Sequence, residues 1–266
     1  MVRRMRLDTE LVRRGLARSR EQAGELIAAG RVAVGGQAAA KAATQVGTDA
    51  AITVAESGQA PDYASRGGRK LEGALAAFTG LKVAGRRCLD AGASTGGFTD
   101  VLLRAGAAQV IAVDVGYGQL AWALRTDPRV TTADRVNVRQ LTPAQVAPAP
   151  GLVTADLSFI SLSLVVPALA ACAAPDADFV LLVKPQFEVG RGKVGAGGVV
   201  RDPELRSAAV RSVAAAAFEV GLGVQGVTAS PLPGPSGNVE YFLWLRRGAP
   251  PLNPTALQRA ITEGPQ

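Results

Sequence analysis

At 266 residues, nearly half of them hydrophobic (48%), the chain has apolar material for one large domain or for a medium domain beside a small one. It contains no histidine, which excludes Ser-His-Asp and Cys-His catalysis and every metal site that needs an imidazole. Its two cysteines, Cys88 and Cys172, are far apart in apolar surroundings and read as buried, reduced thiols, without partners for zinc. The formal net charge of +7 points to a polyanionic partner, nucleic acid or an anionic membrane surface, although solubility alone accounts for a moderate excess.

The chain opens Met1-Val-Arg-Arg-Met-Arg-Leu-Asp8, basic but not followed by the apolar core of a signal peptide. No run reaches the ~18 uninterrupted apolar residues of a spanning helix. The nearest, Leu162 to Val183, is broken by Pro167, Pro175, Asp176 and Asp178. The expectation is a soluble, cytoplasmic protein.

The first 57 residues read as a small α+β unit. Asp8 or Thr9 caps a short helix running to Gly15, and Ser19-Arg-Glu-Gln22 is a capping-box pattern opening a second helix that ends at Gly30. Arg31-Val-Ala-Val34 with the Gly35-Gly36 turn predicts a hairpin, and Ala51 to Ala55 another strand. Arg3, Arg4, Arg6, Arg13, Arg14, Arg18 and Arg20 face only Asp8 and Glu10 in the first twenty residues. A charge run is often just a solvated face. Here Arg18 and Arg20, at the entrance of the second helix, are expected to share a face with Arg4 and Arg6 and to grip phosphates, with Lys41 as a further candidate. Arg6-Leu-Asp8, Ser19-Arg20, Ala23, Leu26-Ile27 and Gly30-Arg-Val32 followed by Gly36 resemble the small alpha-L ("S-four") RNA-binding domain.

Glu56 to Asp62 has linker composition, so a linker is expected over 58–66 and a second domain over 67–266. There the pattern alternates. Strands are predicted near 86–90, 109–113, 130–133, 151–155, 178–183, 222–229 and 239–246, and helices near 68–79, 97–105, 119–124, 142–147, 161–173 and 203–220. This order implies an α/β doubly wound, Rossmann-like parallel sheet with helices on both faces. The last two strands are joined by Pro231 to Gly237 without a helix, so one strand should run antiparallel, as in S-adenosylmethionine (SAM) methyltransferases.

Between the first two of these strands lies Asp90-Ala-Gly-Ala-Ser-Thr-Gly-Gly-Phe98. Gly92, Ala93, Ser94, Gly96, Gly97 and Phe98 form a strand-to-helix turn of the kind that lets backbone approach a ligand. Its spacing fits neither Gly-x-Gly-x-x-Gly, which would need glycine at Ser94, nor a phosphate-binding loop ending Gly-Lys-Ser/Thr. Asp90 is placed to reach the positive end of a methionine moiety, Asp114 with Val115 to hold a ribose, and Asp134 or Asn137 to read adenine. No hydride-handling site is visible, which favours SAM over NAD.

Ligands of open α/β sheets sit at the carboxyl ends of the strands. Lys70, Asp156, Lys184 and Glu240 all fall at that edge, Glu240 because the last strand runs the other way. Singly each has an ordinary explanation, as a cap, a turn or a surface cation. Together, two lysines and two acids point to catalysis.

The chain is similar over nearly its whole length to the TlyA (haemolysin A-type) family of ribosomal RNA 2′-O-methyltransferases. The likeness is carried by Ser65-Arg-Gly-Gly with Lys70-Leu71, Asp90 to Phe98, Asp114-Val-Gly-Tyr-Gly-Gln-Leu-Ala121, Ala155-Asp-Leu-Ser-Phe-Ile-Ser161, Val183-Lys-Pro-Gln-Phe-Glu-Val-Gly190 and Gly234-Pro-Ser-Gly-Asn-Val-Glu-Tyr-Phe242. One departure is Ala64, where an aromatic or valine is common. The resemblance, close to the actinobacterial form, implies SAM as cofactor and cytidine ribose in 16S and 23S rRNA as acceptor. It also implies a catalytic tetrad of Lys70, Asp156, Lys184 and Glu240, no metal, and a monomer bound to ribosomal subunits. Lys184 is then the expected base, supported by Lys70, while Asp156 and Glu240 hold the lysines and ribose. Arg66, with Arg69, Arg135 and Arg191, would extend the basic surface. Rival readings are a non-catalytic ribosome-binding protein, a membrane-active haemolysin, and an alpha-L domain fused to a pseudouridine synthase.

Overall fold

The computed structural model describes residues 4–39, 41–48, 50–54, 63–234 and 236–264, and the chain divides into two compact units, residues 1–62 and 63–266. Residues 55–62, including most of the expected linker, lie outside the described set.

In the smaller unit, β1 (Arg4–Arg6) leads directly into α1 (Leu7–Arg13), and α2 (Arg20–Ala28) follows. Then come β2 (Val32–Val34), β3 (Gln37–Ala38), β4 (Gln45–Gly47) and β5 (Ile52–Val54). The expected hairpin is the β2–β3 pair; β5 joins β2, while β1 pairs with β4, two short strands that no alternation announces. Leu7, Leu11, Ala23, Leu26, Ile27, Val32 and Val46 form its core. Ser19 caps α2 by accepting from the Gln22 amide, but Gln22 Oε1 accepts from the Arg18 amide, so only half of the expected box forms. The α1 start also differs: the helix begins at Leu7, so Arg6 stands at the cap position without a capping side chain and Asp8 falls inside the first turn, engaged by Arg6 and Arg20.

The larger unit is one seven-stranded sheet, built from α3 (Gly67–Ala77), β6 (Arg87–Ala91), α4 (Gly97–Arg104), β7 (Gln109–Asp114), α5 (Trp122–Arg125), β8 (Val130–Asp134), β9 (Leu152–Ala155), α6 (Val166–Cys172), β10 (Asp178–Val183), α7 (Pro185–Glu188), α8 (Pro203–Glu219), β11 (Leu222–Ala229), β12 (Tyr241–Arg247) and α9 (Pro254–Glu263). Strand order is β11-β12-β10-β9-β6-β7-β8, and β12 alone runs against its neighbours, inserted between β10 and β11. The Rossmann-like methyltransferase architecture with one antiparallel strand is therefore present. Central strands β9 and β10 are buried at every residue, which explains their unbroken apolar runs.

Side chains alternate across the sheet. Leu89, Ile111, Val153, Phe179, Leu181 and Tyr241 pack against α6, α8 and α9; Cys88, Val110, Leu152, Val180, Leu182 and Phe242 pack against α3, α4 and α5. Both cysteines are buried free thiols. The segment expected as a helix over 142–147 is only a single 3-10 turn at Pro143–Val146. Helix α9 was readable but not anticipated: Asn253 caps it, Pro254 opens it, and Leu257, Ala260 and Ile261 bury one face at helical spacing.

Candidate active site

Strand register brings the predicted residues to one edge. Ala91 pairs with both Val113 and Ala155, so the ends of β6, β7 and β9 are level. Val183 of β10 pairs with Tyr241 of β12, which sets Lys184, just past one strand, opposite Glu240, just before the other. Helix α3 crosses the same edge; a Cβ on Gly67 would stand 3.6 Å from Asp156 Oδ2.

The four charged candidates form two ion pairs. Lys70 Nζ donates to Glu240 Oε2 at 2.6 Å, with both residues nearly solvent-free. Lys184 Nζ lies 2.6 Å from Asp156 Oδ1 and donates to Ser158 Oγ at 3.1 Å. Glu240 Oε1, the oxygen turned away from Lys70, is buried without a hydrogen-bond donor among the described residues. A buried acceptor is rarely left so, and one at this edge suits a ligand that brings a hydroxyl or amine donor.

The glycines of the turn also answer to neighbouring protein segments. A Cβ on Gly92 (φ +84°) would come within 2.5 Å of the Asp156 carbonyl oxygen, and one on Gly96 (φ +100°) within 2.3 Å of Leu124. On Gly97 it would meet Ser65 Oγ at 2.3 Å. These glycines therefore admit neighbouring protein segments as well as shaping the turn. Ala93 and Phe98 are buried beneath it, and exposed Ser94 sits at φ +47°, a left-handed conformation rare outside glycine.

Asp90 lies beneath the turn. It is wholly buried and accepts from the hydroxyls of Thr99 (2.7 Å) and Thr154 (3.3 Å), so it braces the turn from below. Burial, with the Asp156 charge nearby, pushes its carboxyl up to about 7. Asp114 is half-buried and accepts from the Ser94 amide (2.8 Å) and the Gly116 amide (2.7 Å), tying β7 to the turn. It pairs in register with Asp134 of β8, whose carboxylate takes the Gly118 amide and Arg125. Val115 is 74% exposed, and Asn137, also exposed, caps a 3-10 turn by accepting from the Arg139 amide.

Three features were not anticipated. Phe159 is 92% exposed at φ +64° and stands 5.2 Å from the Phe187 ring. Arg135, also at positive φ, lies over the exposed Tyr117 ring at 4.5 Å. Glu188 accepts from Ser161 Oγ (2.5 Å) and the Leu162 amide (2.8 Å), and burial raises its carboxyl above the usual range. A signal was present, since Phe159 and Glu188 sit beside Asp156 and Lys184, but neither residue type alone announces a role.

Comparison with known proteins shows where this geometry occurs. The profile of the FtsJ-like methyltransferase family matches residues 63–247, and that of the S4 domain residues 5–52. The 16S/23S rRNA (cytidine-2′-O)-methyltransferase TlyA of Mycobacterium tuberculosis is 60% identical over 271 residues, covering 100% of both chains. The chain belongs to the TlyA family of FtsJ-like methyltransferases. A further relative, hemolysin A of Brachyspira hyodysenteriae, is 37% identical over 90% of this chain and 98% of its own. A solved structure of a hemolysin candidate from Streptococcus thermophilus superposes with a TM-score of 0.79 at 38% identity, covering 99% of this chain and 96% of that one. Among the described residues of this TlyA-family chain, no helix is long and apolar enough to cross a membrane.

The S4 unit places the basic candidates unevenly. Arg6 and Arg20 both engage Asp8, at 2.9 Å each, and remain part-exposed. Those guanidiniums, Arg6 first, hold the Asp8 carboxyl far below its ordinary range. The two guanidiniums and Asp8 thus form one charge cluster with a net positive balance. Arg4 and Lys41 are exposed; Arg18 is exposed and directs its Nε to Gln22. Arg13 and Arg14 bind Glu10, bringing it down to about 2, and Arg14 also donates to the Thr48 and Ala50 carbonyls, an internal structural role. In the larger unit, Arg66 donates to the Pro233 carbonyl at 3.0 Å, which ties the start of α3 to the β11–β12 connection.

Proposed function

We propose that this chain is a SAM-dependent 2′-O-methyltransferase that modifies cytidine ribose in 16S and 23S ribosomal RNA, acting in the cytoplasm as a metal-free monomer. The observation that carries it is the pair of lysine–carboxylate contacts at one sheet edge, Lys70–Glu240 and Lys184–Asp156, with the second Glu240 oxygen buried and unfilled. The full-length likeness to a protein of that named activity supports the same acceptor.

The cofactor's fit rests on the donor set along β6, β7 and β8. Asp114 and Asp134 present part-exposed carboxylates in register, suited to ribose hydroxyls and an exocyclic amine, while Ser94, Val115 and Asn137 line the exposed side. Gly92, Ala93, Gly96, Gly97 and Phe98 hold the turn that carries Ser94, and Asp90 braces it. When bound, SAM supplies a methyl group activated by a sulfonium.

The chain's residues then orient the acceptor. Lys184 Nζ already donates to an aliphatic hydroxyl, that of Ser158, so it is suited to hold a ribose 2′-hydroxyl and to take or share its proton. Asp156 Oδ1 keeps acceptor capacity beside that amine, and Lys70 is held by Glu240, whose second oxygen is available to a neighbouring ribose hydroxyl. Fixing these groups before reaction supplies rate through orientation. The 2′-hydroxyl itself distinguishes RNA from DNA, and the exposed Tyr117 and Phe159 rings suit stacking with an unpaired base. In the S4 unit Arg4, Arg6, Arg18, Arg20 and Lys41 supply phosphate contacts, with Arg66 at the start of α3 a weaker candidate.

The test is transfer of labelled methyl from SAM to purified ribosomal subunits, with the product mapped by nuclease resistance at 2′-O-methyl positions. Label on cytidine ribose supports the proposal. Binding to subunits without transfer supports a non-catalytic role, and dye leakage from liposomes supports membrane activity.

A further inference from the structure

We propose that Glu188 is a positioning residue: its carboxylate clamps the segment after β9 onto α7 and thereby sets Asp156 and Ser158 against the Lys184 amine. The kinetic part of this inference rests on the methyl-transfer activity proposed above; the structural part does not.

Residues 156–161 follow β9 without regular structure until the 3-10 turn at Leu162–Leu164. Phe159 within them holds φ +64°, a strained conformation for a bulky residue that persists only where surroundings over-determine it. The surroundings are one face of a single helical turn. Lys184 at the cap of α7, with Phe187 and Glu188, occupies positions i, i+3 and i+4. Lys184 contacts Asp156 and Ser158, Phe187 contacts Phe159, and Glu188 takes the Ser161 hydroxyl and the Leu162 amide.

The three contacts differ in what they can fix. The Phe159–Phe187 pair is tilted and solvent-facing, so it is weakly directional. The Lys184 contact is the group whose position needs explaining. Lys184 reaches only side chains, whereas Glu188 accepts charge-assisted hydrogen bonds from a hydroxyl and from the backbone Leu162 amide, which fixes both height and orientation. Glutamine keeps the geometry, with its oxygen on the Leu162 amide and its nitrogen donating to Ser161 Oγ. Alanine keeps neither bond, and aspartate is one methylene too short to reach both.

The experiment compares the wild-type chain with Glu188→Ala and Glu188→Gln in two readouts: amide exchange over residues 156–162, and kcat and KM for methyl transfer to ribosomal subunits, per folded molecule. Expected for Glu188→Ala are at least tenfold faster exchange of the Leu162 amide and a tenfold to hundredfold lower kcat, with KM for the cofactor within about twofold; Glu188→Gln restores most of both. Exchange unchanged over 156–162, or kcat within twofold of wild type, overturns the proposal, because a merely structural role lowers the folded fraction without changing turnover per folded molecule. If Glu188→Ala folds poorly, Glu188→Asp carries the same comparison. A wild-type chain without methyl transfer refutes the activity instead, and the exchange arm still decides the clamp.

Discussion

Lys70 and Glu240, 170 positions apart in the chain, meet at 2.6 Å with both side chains out of water. A buried pair of this kind is costly to break because the survivor keeps an uncompensated charge. Lys70→Met or Glu240→Leu alone should each destabilise the larger unit by about 3–5 kcal/mol. The double variant should lose less than either single one, since no lone charge remains. Denaturant titration of the three variants checks this, and all three should lack methyl transfer.

Gly92 is the second test. Alanine there places a Cβ 2.5 Å from the Asp156 carbonyl oxygen in a φ of +84°. The expected result is a loss of roughly 1–3 kcal/mol from backbone strain alone. Activity should fall further than stability, because the atom that must yield belongs to Asp156. Comparing turnover per folded molecule with the unfolding midpoint separates the two effects.

Asp90 makes stability depend on pH. Its carboxyl is raised to about 7 in the fold, against about 3.9 in an unfolded chain. The folded state holds a proton that the unfolded state has released, so its stabilising contribution is complete below about pH 4 and is lost as pH rises through about 7. Between pH 5.5 and 8 the wild type should lose roughly 1–3 kcal/mol relative to Asp90→Asn. Urea midpoints for both proteins across that range read the difference directly.

In the S4 unit, exposed cations should behave differently from braced ones. Arg4→Gln or Lys41→Gln should each reduce the slope of log affinity against log salt for rRNA by about 0.7–0.9, with little effect on folding. Arg14→Gln should instead unfold the unit, since Arg14 binds Glu10 and the carbonyls of Thr48 and Ala50. Filter binding at several salt concentrations, beside circular dichroism, distinguishes the two classes.

Much of this was legible in the chain because strand ends are. Apolar runs ending in Asp114, Asp156 and Lys184, and a helix-free connection before Glu240, locate four polar groups at one edge with no coordinates. Pairing partners were not legible: nothing local tells Lys70 to choose Glu240 rather than Asp156. The reasons for the glycines were hidden too, since Gly92, Gly96 and Gly97 answer to Asp156, Leu124 and Ser65, segments remote in sequence or across a turn. The full burial of Asp90 was not legible, because the end of a strand does not say which side chains will cover it; here Thr99 and Thr154 do. That Arg6 and Arg20 share Asp8 was not legible either, because Arg20 lies twelve positions from that acid and only the packing of the second helix brings them together.

The account's central claim is that Lys184, held between Asp156 and Ser158, handles the proton of a ribose hydroxyl. Single-turnover methyl transfer from labelled SAM to ribosomal subunits, run with wild type and Lys184→Ala at matched cofactor and RNA occupancy, tests it most directly. The expected result is label on cytidine 2′-oxygens with the wild type and a rate lower by about 10²–10⁴-fold with the variant. A Lys184→Ala protein that transfers methyl groups at the wild-type rate would contradict it.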